Sequence, residues 1–312
     1  MEMNNVFKNI SVPEIIVGME SKFYTLFNRY NNTGNLSITL YNFNESFKNG
    51  FFYKTIYGNS AYIVPASIIK LFSVNYFLSI LDSNNLLEEK IQIGNEISKK
   101  YLNKYLFRIG MKKGQIYDIR ELIELGLIPS SADAIYTLSR VIYNILNKKN
   151  LNDDCIKSKA DWDNMVDFIS NKVKEYYKSN FNINLSLLDP TGIKRDLIQV
   201  KDIGNLVNSL INDNSKILNV VAKSQTTKIN GRTWNSTNAF VRKDKPYFYH
   251  PKIIGLKTGS LSGWKNLLLL YQLTSINSIG ILIAGCESHS DTKEIASFLI
   301  KELDNKLFNI SF

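Results

Sequence analysis

Segments with the alternating hydrophobic pattern of β-strands occur near the two ends of this 312-residue chain, and a long helical stretch separates them. Residues 35–43 and 50–57 read as the two strands of a hairpin. Three more strand-like runs fall within residues 252–286, whereas from residue 67 to about residue 220 the apolar residues recur mostly at helical spacing. This order predicts an α/β (α+β) fold in which both ends of the chain build one antiparallel sheet.

Helical segments flank the predicted sheet at each end of the chain. Residues 13–30 and 291–305 both carry apolar side chains along one helix face, so we expect these two helices to cover the sheet. The sheet lobe is predicted to comprise residues 1–66 and 245–312, and a mostly helical second lobe residues 67–244. The two lobes are expected to form a single unit that spans the whole chain.

The composition predicts a large buried core and argues against several kinds of partner. Hydrophobic residues make up 44% of the chain and aromatic residues 12%. The net charge of +10 could attract nucleic acid, but the lysines are spread along the chain and no nucleic-acid motif occurs. We therefore expect no nucleic-acid partner, and attraction to an anionic substrate is the second reading of the charge. No apolar run has the length of a membrane span, so no membrane anchor is predicted.

The few cysteines and histidines argue against metal and disulfide chemistry. Cys155 and Cys286 are the two cysteines, the chain has two histidines, and no C-x-x-C occurs. We therefore expect two free, buried thiols and no metal or cofactor. Residues 1–22 lack a basic segment followed by a long apolar core, so no secretory signal is predicted. The sequence leaves open whether the protein stays inside the cell or is exported and has lost a leader. It also leaves the oligomeric state open.

A serine and a lysine interrupt the apolar stretch "PASIIKL" at residues 65–71. Ser67 could simply begin a helix, and Lys70 could extend its ammonium group to water. A lysine is rarely fully buried without a partner, however, and residues three apart share one face of a helix. Burial would lower the pKa of Lys70, which could then accept the Ser67 proton and make that serine a nucleophile.

The S-x-x-K pattern alone is weak, because this chain contains it three times, starting at Ser67, Ser262 and Ser290. Only the copy at Ser67 precedes both a second serine motif, in "PSSADA", and the single K-T-G at residues 257–259. S-x-x-K, an S-x-N-like element and K-T-G, in that order, form the signature of penicillin-interacting serine enzymes. The ordered series is far more specific than any one of its members.

The sequence around these motifs resembles the low-molecular-mass penicillin-binding proteins, the serine-type D-alanyl-D-alanine carboxypeptidases. "IGMKKGQIYDIRELIELGLIPSSADAIYTL" is similar to their segment through the second motif, and "INGRTWNSTNAFV" followed by "IIGLKTGS" to their approach to K-T-G. "LLDPTGIKRDLIQVKDIGNLV" is a looser match to the family's "N-x-x-G-L" segment and the helix after it. The resemblance covers roughly residues 35–305 and implies a β-lactamase/transpeptidase-like fold that trims cell-wall peptides through an acyl-enzyme.

The resemblance implies a role for each residue of the first two motifs. Ser67 would carry the acyl group, Lys70 would act as its base, and Ser130 would relay a proton to the leaving group. If Lys70 is the base, its nitrogen is expected within hydrogen-bond reach of the Ser67 oxygen, about 2.6–3.2 Å. The three residues should meet K-T-G at the seam between the two lobes.

The third motif is implied to bind the substrate. The N–H groups of Ser67 and Ser260 would form an oxyanion hole, where negative charge develops during the reaction. Lys257 and Thr258, followed by Gly259 and Ser260, would hold the terminal carboxylate. The implied partners are a peptide that ends in D-Ala-D-Ala and β-lactams.

The second motif departs from the family pattern. Aligned on "P-S-x-N-D-A", this chain has Ala132 where the family has asparagine, with Ser130 in the first position. A shift by one residue would instead put Ser131 first and Asp133 third. Ser130 is preferred because the following "DA" then stays in step. The loss of the asparagine amide is expected to affect efficiency and substrate choice more than the reaction type.

Three alternative functions remain open at this stage. A class A-like β-lactamase would need a glutamate for deacylation, normally within E-x-x-L-N, and this sequence contains no such motif. A Ser-His-Asp hydrolase would have to use His250 or His289, which lie in loop-like stretches and are expected at the surface. The replacement at Ala132 also makes a non-catalytic peptidoglycan- or peptide-binding protein conceivable.

Overall fold

The computed structural model gives the positions of most of the chain. It describes residues 20–32, 34–44, 50–58, 61–213, 215–274 and 277–308. The strands are, in chain order, β1 (Ser37–Phe43), β2 (Phe51–Tyr57), β3 (Tyr62–Ile63), β4 (Lys90–Gln92), β5 (Ile116–Asp118), β6 (Ile198–Gln199), β7 (Ile253–Leu261), β8 (Trp264–Gln272) and β9 (Ser278–Cys286).

The α-helices occupy the middle of the chain and its two ends. They are α1 (Glu20–Asn28), α2 (Ile69–Ser83), α3 (Ile119–Leu127), α4 (Ala132–Leu146), α5 (Lys159–Phe181), α6 (Val200–Asp213), α7 (Ser215–Val221) and α8 (His289–Phe308). Short 3-10 helices lie at Ala66–Ile68, Asn95–Ile97 and Ala239–Val241. None of the helices in the described ranges is both long and apolar enough to span a membrane.

Five strands form one antiparallel sheet in the order β2-β1-β9-β8-β7. Its centre joins the two ends of the chain, since Leu40 of β1 lies opposite Ile281 of β9. The hairpin predicted for residues 35–57 forms as β1 and β2. The predicted antiparallel sheet and mixed α/β class are therefore confirmed.

Both faces of the sheet are buried, which explains why "NLLLLYQL" in β8 is apolar at consecutive positions. Leu267 and Leu269 point to the side that α1 and α8 cover, where Phe27 and Leu299 join the same cluster. Leu268 and Leu270 face the opposite side and pack with α2 and the other helices of the middle of the chain. Residues 13–19 of the predicted first helix lie outside the described residues.

Helix α2 runs through the centre of the helical part and is buried on nearly all sides. Its buried residues include Phe72, Phe77 and Leu81, and Lys70 is buried among them. An all-round apolar helix has no face for solvent and is enclosed by its neighbours. Lys70 is consequently kept from water, as the sequence predicted for a central helix.

Candidate active site

A cavity of about 380 Å³ lies where strand β7, the start of α2 and the loop before α4 meet. Its wall includes five of the seven residues predicted from the motifs, namely Ser67, Lys70, Ser130, Thr258 and Ser260. The other two are Lys257 and Gly259, which alternate with Thr258 and Ser260 along β7. Since successive residues of a strand face opposite sides, Lys257 faces away from the side to which Thr258 and Ser260 point. The structure thus brings the three motifs to one cavity at the junction of sheet and helices.

Ser67 occupies a short 3-10 turn just before α2. Ala66 has a φ of 49°, in the left-handed region that alanine rarely adopts, so the backbone bends sharply into the turn. Ser67 is half-buried between the buried residues Ala66 and Ile68, and it faces the cavity. Within the described part of the chain, no group hydrogen-bonds to the Ser67 hydroxyl, which leaves that oxygen open to a substrate.

Strand β7 packs directly against the turn that carries Ser67. A Cβ atom at Gly259 would lie 2.6 Å from the Pro65 carbonyl oxygen, closer than real Cβ contacts. The neighbouring strand adds a hydrogen bond, because Asn266 Nδ2 donates to Val64 O at 2.7 Å. The third residue of K-T-G is therefore glycine because the turn that carries Ser67 packs directly on the strand backbone.

Lys70 is about 1% exposed and its ammonium group contacts Ser130 twice. Nζ donates to the Ser130 carbonyl oxygen at 2.6 Å and to Ser130 Oγ at 3.1 Å. Burial lowers the pKa of Lys70 to about 7, and the carboxylates of Asp189 and Asp133 only partly oppose that shift. The lysine is thus poised to exchange a proton near neutral pH.

The predicted hydrogen bond from Lys70 to Ser67 is not formed in this structure. The two oxygens of Ser130 take the ammonium instead, and the carbonyl contact at 2.6 Å is the shorter of the two. Catalytic hydrogen bonds are often long in the free enzyme and tighten when substrate binds. In this structure Lys70 therefore contacts Ser130 and makes no hydrogen bond to Ser67.

The structure distinguishes between the two alignments of the second motif. Ser130 lines the cavity, with a φ of 68°, and it is the residue that Lys70 contacts. Ser131 is the N-cap of α4, and its hydroxyl accepts from Ala134 N at 3.4 Å. The geometry therefore favours Ser130 as the first residue of the motif, as the sequence alignment did.

The remaining residues of that motif hold a neighbouring loop whose residue Phe107 lines the cavity. The Asp133 carboxylate accepts three consecutive backbone N–H groups at residues 109–111, at 3.3, 3.1 and 3.2 Å. Ala132 is fully buried, and its N–H donates to the Phe107 carbonyl at 2.9 Å. Asp133 thus fixes the loop that brings Phe107 to the cavity, and its side chain is not part of the cavity wall.

A second loop lines the cavity and packs against the turn that carries Ser67. Asp189 is buried and accepts hydrogen bonds from the Tyr136 hydroxyl at 2.9 Å and from Thr191 N at 2.8 Å. Gly192 has a φ of +76°, and a Cβ there would lie 2.0 Å from the Ala66 carbonyl oxygen. Thr191 and Gly192, the last two residues of "DPTG", line the cavity.

Lys257 lies behind the cavity wall rather than on it. It is about 1% exposed, and its Nζ donates to the Thr258 carbonyl at 3.1 Å. Burial, reinforced by the charge of Lys70, lowers the pKa of Lys257 well below its ordinary value. The Thr258 hydroxyl donates to Thr237 Oγ1 at 2.7 Å, which adds Thr237 to the residues that sequence reasoning did not identify.

The two histidines differ in position, and one prediction about them is wrong. His289 was expected in a surface loop, yet it is the first residue of α8, half-buried, and lines the cavity. His250 lies elsewhere, stacked on Tyr271, with Nε2 3.1 Å from Asp304 Oδ2. Since His250 does not line the cavity, it offers no Ser-His-Asp arrangement there.

The cavity wall carries basic side chains. Lys70, His289 and Lys293 line it, whereas no aspartate or glutamate does so among the described residues. In the same part of the chain no cluster of three His, Cys, Asp or Glu side chains could hold a metal ion. Cys286 is buried and Cys155 half-buried, and both thiols are free. The polar side chains on the cavity wall are therefore hydroxyls, the ammonium groups of Lys70 and Lys293, and the His289 imidazole.

The fold is shared with solved structures of known proteins. No family model and no curated protein sequence matches the chain. A peptidoglycan synthesis regulatory factor from Streptococcus pneumoniae has a TM-score of 0.63 and 17% identity, over 85% of this chain and 72% of that one. Penicillin binding protein 5 from Haemophilus influenzae gives 0.65 and 14%, over 85% and 69%.

A third structure is that of a β-lactam complex. The ampicillin-bound penicillin-binding protein D2 from Listeria monocytogenes has a TM-score of 0.60 and 16% identity, over 85% of this chain and 95% of that chain. At such low identity these similarities concern the architecture. The chain has the fold of the penicillin-binding proteins and D-alanyl-D-alanine carboxypeptidases, which confirms the predicted resemblance at the level of the fold.

Proposed function

We propose that this protein is a serine acyltransferase of the D-alanyl-D-alanine carboxypeptidase type, which trims peptides through an acyl-enzyme on Ser67 and binds penicillins covalently. The observation that carries the proposal is the buried Lys70, whose pKa is lowered to about 7 and whose ammonium group contacts Ser130 beside Ser67. A lysine in this state can lose its proton at neutral pH and act as a base. Other hydrolase arrangements would need a histidine base paired with an acid at this cavity.

Acylation begins with attack of Ser67 Oγ on the substrate carbonyl carbon. Lys70 accepts the Ser67 proton, either directly once substrate is bound or through Ser130 Oγ, which lies 3.1 Å from Nζ. The backbone N–H groups of Ser67 and Ser260 stabilise the negative oxygen of the tetrahedral intermediate. Ser130 then passes a proton to the departing amine, and the ester on Ser67 remains.

Thr258 and the positive charge behind it bind the terminal carboxylate. The Thr258 hydroxyl faces the cavity, and Lys257 lies directly behind it against the Thr258 carbonyl. Bringing a carboxylate next to Lys257 favours the charged form of that lysine, which in the free protein is disfavoured by burial. Substrate binding would thus be coupled to proton uptake by Lys257.

Deacylation distinguishes this proposal from a class A-like β-lactamase. That class uses a glutamate carboxylate to activate water, and no acidic side chain lines this cavity among the described residues. Lys70, alone or through Ser130, would have to activate the water. A departing D-alanine leaves room for that water, whereas an opened penicillin ring stays attached and blocks it, so a penicillin adduct should persist.

Intact-mass spectrometry after mixing with benzylpenicillin tests the proposal. We expect a long-lived adduct that is absent in Ser67→Ala and present in Ser290→Ala, a matched variant of another S-x-x-K serine, and in His250→Ala. A peptide ending in D-Ala-D-Ala should be cleaved without a lasting adduct. No adduct in the unmodified protein would favour a non-catalytic binder, and rapid turnover of penicillin would favour a β-lactamase.

A further inference from the structure

A group of basic side chains lies on one side of the cavity, where the β7–β8 hairpin meets the start of α8. His289 and Lys293 line the wall there together with Ser260. Lys265 reaches the same place from β8, since its Nζ donates to Ser260 Oγ at 2.8 Å. We call Ser260, Lys265, His289 and Lys293 the basic corner.

The two ammonium groups of the basic corner are held in place without an acidic partner. Lys293 Nζ lies 5.5 Å from the ring centroid of Phe248, and Lys265 is fixed by Ser260. Neither lysine forms an ion pair within the described residues. The acids nearest to Lys293 in sequence are Glu294, which accepts from the Tyr30 hydroxyl at 2.9 Å, and Asp291, which accepts the Ser288 N–H at 3.1 Å; neither is on the cavity wall. The corner thus keeps an uncompensated positive charge.

The positive charges of the basic corner also act on the imidazole of His289. Burial is the main cause that lowers its pKa to about 4, and the charges of Lys265, Lys293 and Lys257 lower it further. All three ammonium groups are therefore close enough to repel a proton on this ring. At neutral pH His289 is uncharged and can donate one hydrogen bond to an anion.

The basic corner is separate from the position proposed for the terminal carboxylate. Thr258 and Ser260 are two residues apart on β7, and both face the cavity. Two residues of an extended strand span roughly 7 Å. A single carboxylate at Thr258 therefore does not reach the ammonium groups beyond Ser260, and a substrate that engages both must carry two negative groups.

We propose that Lys265 and Lys293, with Ser260 and His289, form a subsite for a second anionic group, so that the preferred peptides carry an acidic side chain on the C-terminal residue that departs. The position of the peptide in this inference rests on the proposed function. A dicarboxylic residue such as D-glutamate has the required two charges on one residue. Its α-carboxylate would bind at Thr258 and its side-chain carboxylate at the basic corner.

Binding to the Ser67→Ala protein tests this subsite without any need for catalysis. The probes are two N-acylated tripeptides that end in D-Ala-D-Glu and D-Ala-D-Gln, which differ in the side-chain charge alone. We expect the glutamate peptide to bind about 10-fold more tightly by titration calorimetry, as a charge-assisted hydrogen bond would provide. Equal affinities would overturn the proposal.

Variants of one lysine separate the subsite from general attraction. Lys293→Gln in the Ser67→Ala background should reduce the preference for the glutamate peptide toward unity, and Lys293→Glu should reverse it. Lys301→Gln, an exposed lysine farther along α8, should leave the preference intact. If Lys293→Gln weakens both peptides equally, the corner binds the α-carboxylate and the proposal is wrong.

The result of this binding test can be separated from the result of the tests of the proposed function. A protein that forms no adduct on Ser67 and cleaves no peptide would end the proposed function. The preference between the two peptides in the Ser67→Ala background would still decide whether the basic corner recognises a second charge.

Discussion

Lys70 and Lys257 are both about 1% exposed, and burial together with the charge of Lys70 lowers the pKa of Lys257 well below its ordinary value. Two buried ammonium groups side by side are unfavourable, because neither is surrounded by water. Lys257 therefore gives up its proton more readily in the free protein, whereas Lys70, with a pKa of about 7 and its Nζ in contact with Ser130, can exchange a proton near neutral pH.

The pH dependence of acylation follows from Lys70. Since burial lowers its pKa to about 7, the neutral, basic form grows as pH rises through 7 and the charged form dominates below it. The second-order rate constant for acylation by benzylpenicillin should thus rise with pH and level off above about 8. Lys70→Arg, which cannot lose its proton, should abolish acylation at every pH while thermal unfolding stays cooperative. A flat profile would contradict the role of Lys70 as the base.

Stability should also depend on the protonation of Lys70, and it should likewise rise with pH. In the unfolded chain Lys70 binds its proton up to its ordinary pKa of 10.5, but in the folded protein only up to about 7. Between these values the unfolded state holds more protons, so folding becomes more favourable as pH rises, and below 7 the full penalty is present. Lys70→Met removes the penalty and should raise the free energy of unfolding at pH 7 by on the order of 2 kcal/mol. Denaturant titrations at pH 7 and 9.5 measure this, and a gain that is larger at pH 9.5 would contradict it.

Substitutions at Ser130 separate its hydroxyl from its backbone. Ser130→Ala and Ser130→Gly both remove the hydroxyl that contacts Lys70, and acylation should fall by about 10²–10⁴-fold in each. Glycine adopts the φ of 68° without strain and alanine only at a cost, so the glycine variant should be more stable by about 1 kcal/mol.

Ser131→Ala is the matched control for this pair. It removes the cap of α4 and should cost about 1 kcal/mol of stability, with acylation largely kept. If Ser131→Ala, and not Ser130→Ala, abolishes adduct formation, the alignment of the second motif has to be shifted by one residue.

The contact between β7 and the Ser67 turn predicts the effect of a single methyl group. In Gly259→Ala the new Cβ would meet the Pro65 carbonyl at 2.6 Å, so the turn has to move away from the strand. Acylation should fall by at least about 10²-fold although no reacting group has changed, because small displacements of a nucleophile are costly. Gly231→Ala, at a glycine with open space around it, serves as the control and should lose only about 1 kcal/mol of stability.

The parts of the site that lie close in sequence could be predicted, and the parts that depend on distant contacts could not. Ser67 and Lys70 share one turn, and K-T-G lies on one strand, so pattern and spacing identified both. The contact of Lys70 with Ser130 joins residues 60 apart in sequence, and no local pattern specifies that the carbonyl, rather than Ser67, takes the ammonium group.

The same limit explains the error about His289. Its sequence neighbours are polar, which is typical of a surface loop. Its position on the cavity wall follows from where β9 ends in the sheet, since α8 begins three residues after that strand. The helices and strands themselves were predictable because their periodicity is local, whereas the wall of the cavity is built from segments of the whole chain.

The pairing of β1 with β9 also constrains how the molecule can fold. The first hairpin cannot complete its sheet until the last strands have been synthesised, and Asn266 must find Val64, 202 residues away, before the Ser67 turn is supported. Such non-local contacts raise the contact order and slow folding. The helical middle of the chain can collapse before β9 has been synthesised. Until then the edge of β1 that pairs with β9 has no partner, and such an unpaired apolar strand is prone to aggregation. A ribosome-bound chain that lacks β7–β9 would therefore already contain Ser67, Lys70 and Ser130, but not the strands against which the Ser67 turn packs.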